Sequence, residues 1–199
     1  MFGYSCTYKL LFYLEKSSPS LTLLKKETLR CVNDDQVSYV NGTHDEELKS
    51  IARSTKCIPD IFAKFSFDVE ILNGGDDDNI VIGLASDISD RSPGMHPNTI
   101  GIYGFDGSII RNGEEASSAS PFTTGDKISC KVDRTKISNS DFTITSCQFV
   151  KNGLIMSPSL NVGGKKHYPA VGLHSPGAEV RIKFNLIKKP GKFLVYKEG

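Results

Sequence analysis

The sequence predicts an all-β domain, an antiparallel β-sandwich with short helices or none, and three observations predict it. Apolar and polar residues alternate with period two, so that one face of each such stretch is buried and the other wetted. Gly, Asn and Asp clusters interrupt the alternation every few residues, which is the punctuation of short strands joined by tight turns. No stretch carries a helical apolar stripe of useful length, and only Asp45 to Ile51 fits a helical turn.

Taken in order, Thr28 to Val32 and Gln36 to Val40 form an early strand pair around Asn33-Asp34-Asp35. From Ala63 to Leu72, Phe65, Phe67, Val69 and Ile71 point one way and Lys64, Ser66, Asp68 and Glu70 the other. The polar run Gly74 to Asn79 then reads as a turn leading to a fully buried strand, Ile80 to Ala85, the two strands making a hairpin. Ile100 to Tyr103 and Ser108 to Arg111 flank the turn Phe105-Asp106-Gly107, and Lys127 to Asp133 follows Gly125-Asp126. Phe142 to Lys151 ends at Asn152-Gly153, a strong hairpin signal, and Leu154 to Ser157 returns. Tyr168 to Leu173, Glu179 to Phe184 and a closing strand Lys192 to Tyr196 complete the series.

The chain has 199 residues, enough for one large β domain that needs neither disulfide nor metal for stability. Residues 1–26 read as an N-terminal extension, an extra strand or short helix, and residues 27–197 as the domain. Lysine and arginine total 24 against 23 acidic residues, a balance that argues against a nucleic-acid partner. No apolar run approaches a membrane span. The segment Met1 to Leu14 lacks a small-residue cleavage site and is not read as a signal peptide. Asn41-Gly42-Thr43 fits a glycosylation sequon, which matters only in a secreted chain. Cys6, Cys31, Cys57, Cys130 and Cys147 are odd in number and widely spaced, with no C-x-x-C. They read as free thiols in a reducing compartment and give no zinc site.

Enzymatic constellations are missing. The sequence has no G-x-S-x-G elbow, P-loop, G-x-G-x-x-G or H-E-x-x-H. His44, His96, His167 and His174 are dispersed near turns, and Asp76-Asp77-Asp78 lacks the spaced oxygens of a calcium loop. No cofactor and no metal is expected. The lysines at 188, 189, 192 and 197 read as a solvated edge that discourages strand-to-strand aggregation.

Several blocks in order resemble a SPRY domain of the Ran-binding-protein-M type. Leu29 to Gly42 resembles the opening strand pair, and Ile51 to Pro59 the V-R-A-x-x-P-I-P segment, with Arg53 and Pro59 at the matching places. Phe65 to Gly74 is similar to Y-Y-F-E-V-x-I-L-x-x-G. Ile82-Gly83, Pro93-Gly94 and Tyr103-Gly104-Phe105-Asp106-Gly107 follow the order I-G, P-G-W, Y-G-Y-x-x-D-G. Phe122 to Asp126, Phe149 to Gly153 and Tyr168 to Gly177 resemble T-F-x-x-G-D, F-x-K-N-G and Y-P-x-V-G-L-x-x-P-G. The likeness runs from about Leu29 to Tyr196.

The resemblance implies a bent antiparallel β-sandwich of concanavalin-like jelly-roll architecture used for protein recognition: a non-enzymatic adaptor gripping a short linear segment of a partner protein. Service in trans as a substrate-recognition subunit of a ubiquitin-ligase assembly belongs to the same reading. Carried over residue by residue, the candidate surface comprises Arg53, Ser54, Thr55, Lys56, Pro93, Gly94, Met95, Tyr103, His174, Ser175 and Pro176. Arg53 would pair with an acidic or amide group, Tyr103 and Met95 would give an apolar floor, and His174 and Ser175 would offer hydrogen bonds. The residues alone leave two roles open for Tyr103 (core or floor) and two for Arg53 (internal ion pair or partner contact). The family's P-G-W is Pro93-Gly94-Met95 here, and the chain has no tryptophan, so ligand preference is expected to differ.

The expected protein is a monomer, cytoplasmic or nuclear, with neither nucleic-acid nor membrane partners. Competing readings are a secreted SPRY protein engaging host proteins, if the gene carries a signal peptide, and a sugar-binding sandwich, which the lack of tryptophan weakens. A hydrolase would require His174 or His96 beside a serine or cysteine.

Overall fold

A computed structural model describes residues 21–24, 28–40, 42–59, 63–136, 143–163 and 166–185. Within them fifteen strands form two antiparallel sheets, with no helix among the described residues. The strands are β1 (Leu21–Leu23), β2 (Leu29–Asn33), β3 (Gln36–Tyr39), β4 (Ile51–Ser54), β5 (Lys64–Asn73), β6 (Ile80–Ala85), β7 (Ile100–Tyr103) and β8 (Ser108–Arg111). They continue with β9 (Glu114–Ser118), β10 (Lys127–Lys136), β11 (Thr143–Lys151), β12 (Leu154–Ile155), β13 (Leu160–Asn161), β14 (Tyr168–Leu173) and β15 (Glu179–Asn185). One sheet runs β1-β4-β14-β6-β7-β8-β9; the other runs β12-β11-β10-β5-β15-β3-β2, with β13 also paired to β11.

The core lies between the sheets and follows the alternation. Phe65, Phe67, Val69 and Ile71 of β5 are buried, and they meet Ile80, Ile82 and Leu84 of β6 and Val171 and Leu173 of β14 across the interior. Phe67 lies 6.5 Å from the ring of Phe65 and 6.3 Å from that of Phe184. The opposite face of β5 is a charged ladder, with Lys64 on Asp133 (3.0 Å), Lys127 on Asp68 (2.7 Å) and Arg181 on Glu70 (3.0 Å). Burial raises the pKa of Asp68, but hydrogen bonds from Lys127, Ser129 and Asn185 outweigh it and hold the carboxyl below its ordinary range. Cys130 and Cys147 meet in the core as thiols, Sγ to Sγ 3.2 Å, and burial pushes the Cys130 thiol well up.

Two expectations are corrected, and two strands appear that the sequence did not announce. β5 and β6 are not a hairpin: β5 pairs with β10 and β15 in one sheet, β6 with β14 and β7 in the other, so residues 74–79 cross between layers. Asp45 to Ile51 is no helix; Ile51 opens β4, while the Asp45 carboxylate accepts the backbone N–H groups of Lys49 (2.9 Å) and Ser50 (2.6 Å) and folds the segment as a loop. β9 (EEASS) and β13 are strands without an apolar pattern, formed at sheet margins where one hydrogen-bonding neighbour is enough. β1 falls within the segment read as an extension and pairs with β4, its Leu21 and Leu23 packing on the core. The strand expected at Lys192 to Tyr196, the basic C-terminal stretch and Asn41 lie outside the described residues.

All six residues of β6 are buried, because its sheet is covered on both faces. On the outer face the alternation places small residues side by side: Gly83 and Ala85 of β6, Gly101 of β7, Ala170 and Gly172 of β14. A long loop, residues 86–99, lies across them as a strap. A side chain at Gly101 would strike the Pro93 carbonyl, and one at Gly172 would strike Ser92 Oγ and His174 Nε2. Gly101 thus lets the strap's backbone approach the sheet, and Gly172 leaves room for the Ser92 and His174 side chains.

Candidate functional site

The strand registers divide the expected surface between opposite ends of the seven-stranded sheet. β4 ends where β14 begins, and β6 ends where β7 begins, since Ala170 faces both Arg53 and Gly83, Tyr168 faces Ala85, and Leu84 faces Ile100. Arg53, Ser54, Thr55 and Lys56 therefore sit at one end, with the start of the strap. Tyr103, His174, Ser175 and Pro176 sit at the other, with loop 42–50 and turn 74–79. Pro93, Gly94 and Met95 lie on the strap between the two groups.

At the first end the Arg53 guanidinium stacks over the Tyr168 ring, 4.8 Å from its centroid, and donates to the carbonyls of Ser86 (2.7 Å) and Asp87 (3.2 Å). Arg53 Nε is buried and has no partner among the described residues. Ser54 is buried and donates to the Lys56 carbonyl (2.8 Å), which shapes the turn, leaving Thr55 and Lys56 exposed. Ile88 projects from the neighbouring turn, 74 % exposed. Arg53 thus fixes the strap's start, with its Nε sealed from solvent and the rest of the guanidinium half-buried.

At the second end the side chains expected to face a partner are mostly interior. Ser175 is fully buried, and its hydroxyl accepts the backbone N–H of Asp76 (2.8 Å) and Asp77 (3.3 Å), holding the acidic turn. Pro93 and Gly94 are buried beneath the strap's own surface, with Met95 and Pro176 half-buried. His174 is fully buried between Ser92 and Asp45: Nε2 bonds Ser92 Oγ, and Nδ1 lies 3.3 Å from Asp45 Oδ2. Sequence reasoning missed Ser92 and Asp45, which lie 82 and 129 residues from His174, and no local pattern links them. Tyr168, one residue before the Pro169 of the Y-P block, was likewise missed as the platform for Arg53.

Tyr103 is 5 % exposed, edge-on to Phe105 at 6.2 Å, and its hydroxyl is buried with no partner among the described residues. Burial, helped by the Asp106 carboxylate, pushes its phenol up to about 12. The folded state therefore holds a proton that the unfolded chain, at about 10, releases. The resulting stability is complete below pH 10 and is lost as pH rises through about 12. Tyr103→Phe is expected to stabilise the protein by about 1 kcal/mol at pH 7, by removing an unsatisfied hydroxyl. It should also widen the margin by about 2 kcal/mol more near pH 12. Urea midpoints of both proteins at pH 7 and across the alkaline limb check this; parallel curves would mean the hydroxyl is solvated.

Among the described residues no His, Cys, Asp and Glu cluster could hold a metal, and no helix is long and apolar enough to cross a membrane. What the geometry offers is a rigid sheet face, a pinned strap, and an exposed rim at the Arg53 end.

Comparison with known proteins agrees with that architecture. A crystal structure of a human SPRY domain is similar over 82 % of this chain and 96 % of its own length, with TM-score 0.62 and 22 % identity. The SPRY domain of human HERC1 matches over 84 % of this chain and all of its own length, with TM-score 0.58 and 17 % identity. The chain is a SPRY-domain protein. In sequence it resembles Ran-binding protein 9 of Xenopus laevis, 34 % identical over 72 % of this chain and 25 % of that protein, and the Ran-binding proteins 9/10 homolog of Drosophila melanogaster, 29 % identical over 81 % and 16 %. It therefore spans a quarter or less of these two relatives. No family model matches the chain.

Proposed function

We propose that this SPRY domain is a protein-interaction module, without chemistry of its own, that holds a short segment of a partner protein at the Arg53 end of the seven-stranded sheet. The observation that carries the reading is the rim at Arg53: a half-buried guanidinium held in place by Tyr168 and two carbonyls, beside exposed Lys56 and Ile88. A preordered cationic rim of this kind suits a carboxylate or amide, because little of the Arg53 side-chain entropy remains to be lost on binding. Ile88 adds exposed apolar surface, and Met95, half-buried on the strap, stands where the family pattern P-G-W has tryptophan. The likeness to other SPRY domains supports the module reading.

The test is a pull-down from native lysate with the wild-type domain beside the variant Arg53→Ala, Lys56→Glu, Ile88→Ser, matched by circular dichroism and melting. The expected result is a partner held by the wild type and lost by the folded variant; ligase components among the captured proteins would support service in trans. Equal capture by both proteins would remove this end of the sheet as the site. Capture of nothing by the wild type would sink the protein-binding reading, and a glycan array would then examine sugar binding.

A further inference from the structure

Asp45, Ser92 and His174 come from three separate segments: loop 42–50, the strap, and the residue just beyond β14. Asp45 Oδ2 accepts the N–H groups of Lys49 and Ser50, so it acts as an acceptor toward the ring as well, and His174 Nδ1–H donates to it. In the neutral ring Nε2 is then the acceptor for the Ser92 hydroxyl. The three segments also share backbone bonds at this joint: Ser92 N–H to the Leu48 carbonyl (2.8 Å) and Asp45 N–H to the His174 carbonyl (2.9 Å). Ser92 and His174 are fully buried and Asp45 nearly so. Their order is that of a nucleophile, base and orienting acid. Yet Ser92 Oγ has no solvent-facing side, and Gly172 fills the space beneath it. The relay therefore holds, and does not cleave.

What it holds is the strap. Past Ser92 the chain turns tightly (Met95 N–H to Ser92 carbonyl, 3.2 Å) and is next fixed by the Gly94 carbonyl accepting Gly113 N–H (2.7 Å) and by Thr99 Oγ1 accepting Gly94 N–H (3.1 Å). Before Ser92, Arg53 fixes residues 86 and 87. Between those anchors, the side-chain bond that reaches from the strap to the sheet is Ser92 to His174.

We propose that the buried Asp45–His174–Ser92 relay is a latch that positions the strap, and thereby sets the shape of the recognition surface without touching the partner. This rests on the binding reading above for its purpose, though the latch itself is measurable with no partner present. Asparagine and glutamine at position 174 separate its two bonds: an Asn amide ends where Nδ1 stands, and a Gln amide where Nε2 stands. His174→Gln should keep the bond to Ser92, and His174→Asn should keep only the bond to Asp45.

Hydrogen–deuterium exchange of the full chain at neutral pH, read at the amides of Ser92, Gly94 and Met95 against those of β5 and β10, tests this. Ser92→Ala and His174→Asn are expected to raise strap exchange at least about tenfold, and tryptic cleavage after Arg91 in step, while His174→Gln stays within about twofold of the wild type and the β5 and β10 amides do not move. If Ser92→Ala leaves strap exchange unchanged, or if Gln and Asn behave alike, the latch is overturned and the trio is packing only. Should His174→Asn fail to fold, Ser92→Ala against His174→Gln decides. A latch confirmed by exchange alongside equal capture by the Arg53-end variant would place the fault in the binding reading.

Discussion

Phe67→Ala is expected to lower the unfolding free energy by about 3–5 kcal/mol. The ring is fully buried at the middle of β5, the strand bonded on both sides by β10 and β15, and it touches the aromatic rings at 65 and 184. Truncation removes the transfer energy of the ring and leaves a cavity that two paired neighbouring strands cannot close. Domains of this kind have about 5–15 kcal/mol in all, so the loss is about a fifth or more of the total. The check is a fall in the urea midpoint at unchanged slope. Lys64→Ala, on the wetted face of the same strand, should stay within about 0.5–1 kcal/mol because its ion pair with Asp133 is exposed. A cost below about 1 kcal/mol for Phe67→Ala would mean that the interior is not organised around β5.

Gly101→Val is expected to lift the strap. An added Cβ would press on the Pro93 carbonyl oxygen and come within 2.8 Å of its carbon and 2.9 Å of Val81 Cγ1. Two of those atoms are backbone, so no side-chain rotation relieves the clash, and the strap must move off the sheet. Overpacking of this sort costs about 1–3 kcal/mol, and here its structural effect should concentrate in residues 92–95. Melting together with exchange at those amides checks both parts. Gly42→Ala serves as the control, since an added Cβ there meets nothing within 4 Å. Equal behaviour of the two variants would mean that the strap does not rest on the sheet.

The sequence by itself determined the sandwich, most strand positions and the inward set of side chains. β6 runs over the expected Ile80 to Ala85, and Phe65, Phe67, Val69 and Ile71 turn inward as their alternation requires. Period two is a property of the single strand, written locally, and needs no partner to be read. Neighbours are another matter: the turn at 74–79 looks the same whether β6 folds back beside β5 or crosses to the other sheet. Burial summed over both sheets chooses the crossing. Polar strands such as β9 carry no signal because an edge strand needs hydrogen bonds more than apolar contacts.

The candidate surface was legible as a set of blocks, and its geometry was not. Motif order runs along the chain, whereas antiparallel pairing of β4 with β14 sends Arg53 to one end of the sheet and His174 to the other. The joining of Asp45, Ser92 and His174 was likewise decided only in three dimensions. A buried hydrogen bond depends on which polar atoms are sealed from water together, and closure of the strap over Gly101 and Gly172 determines that.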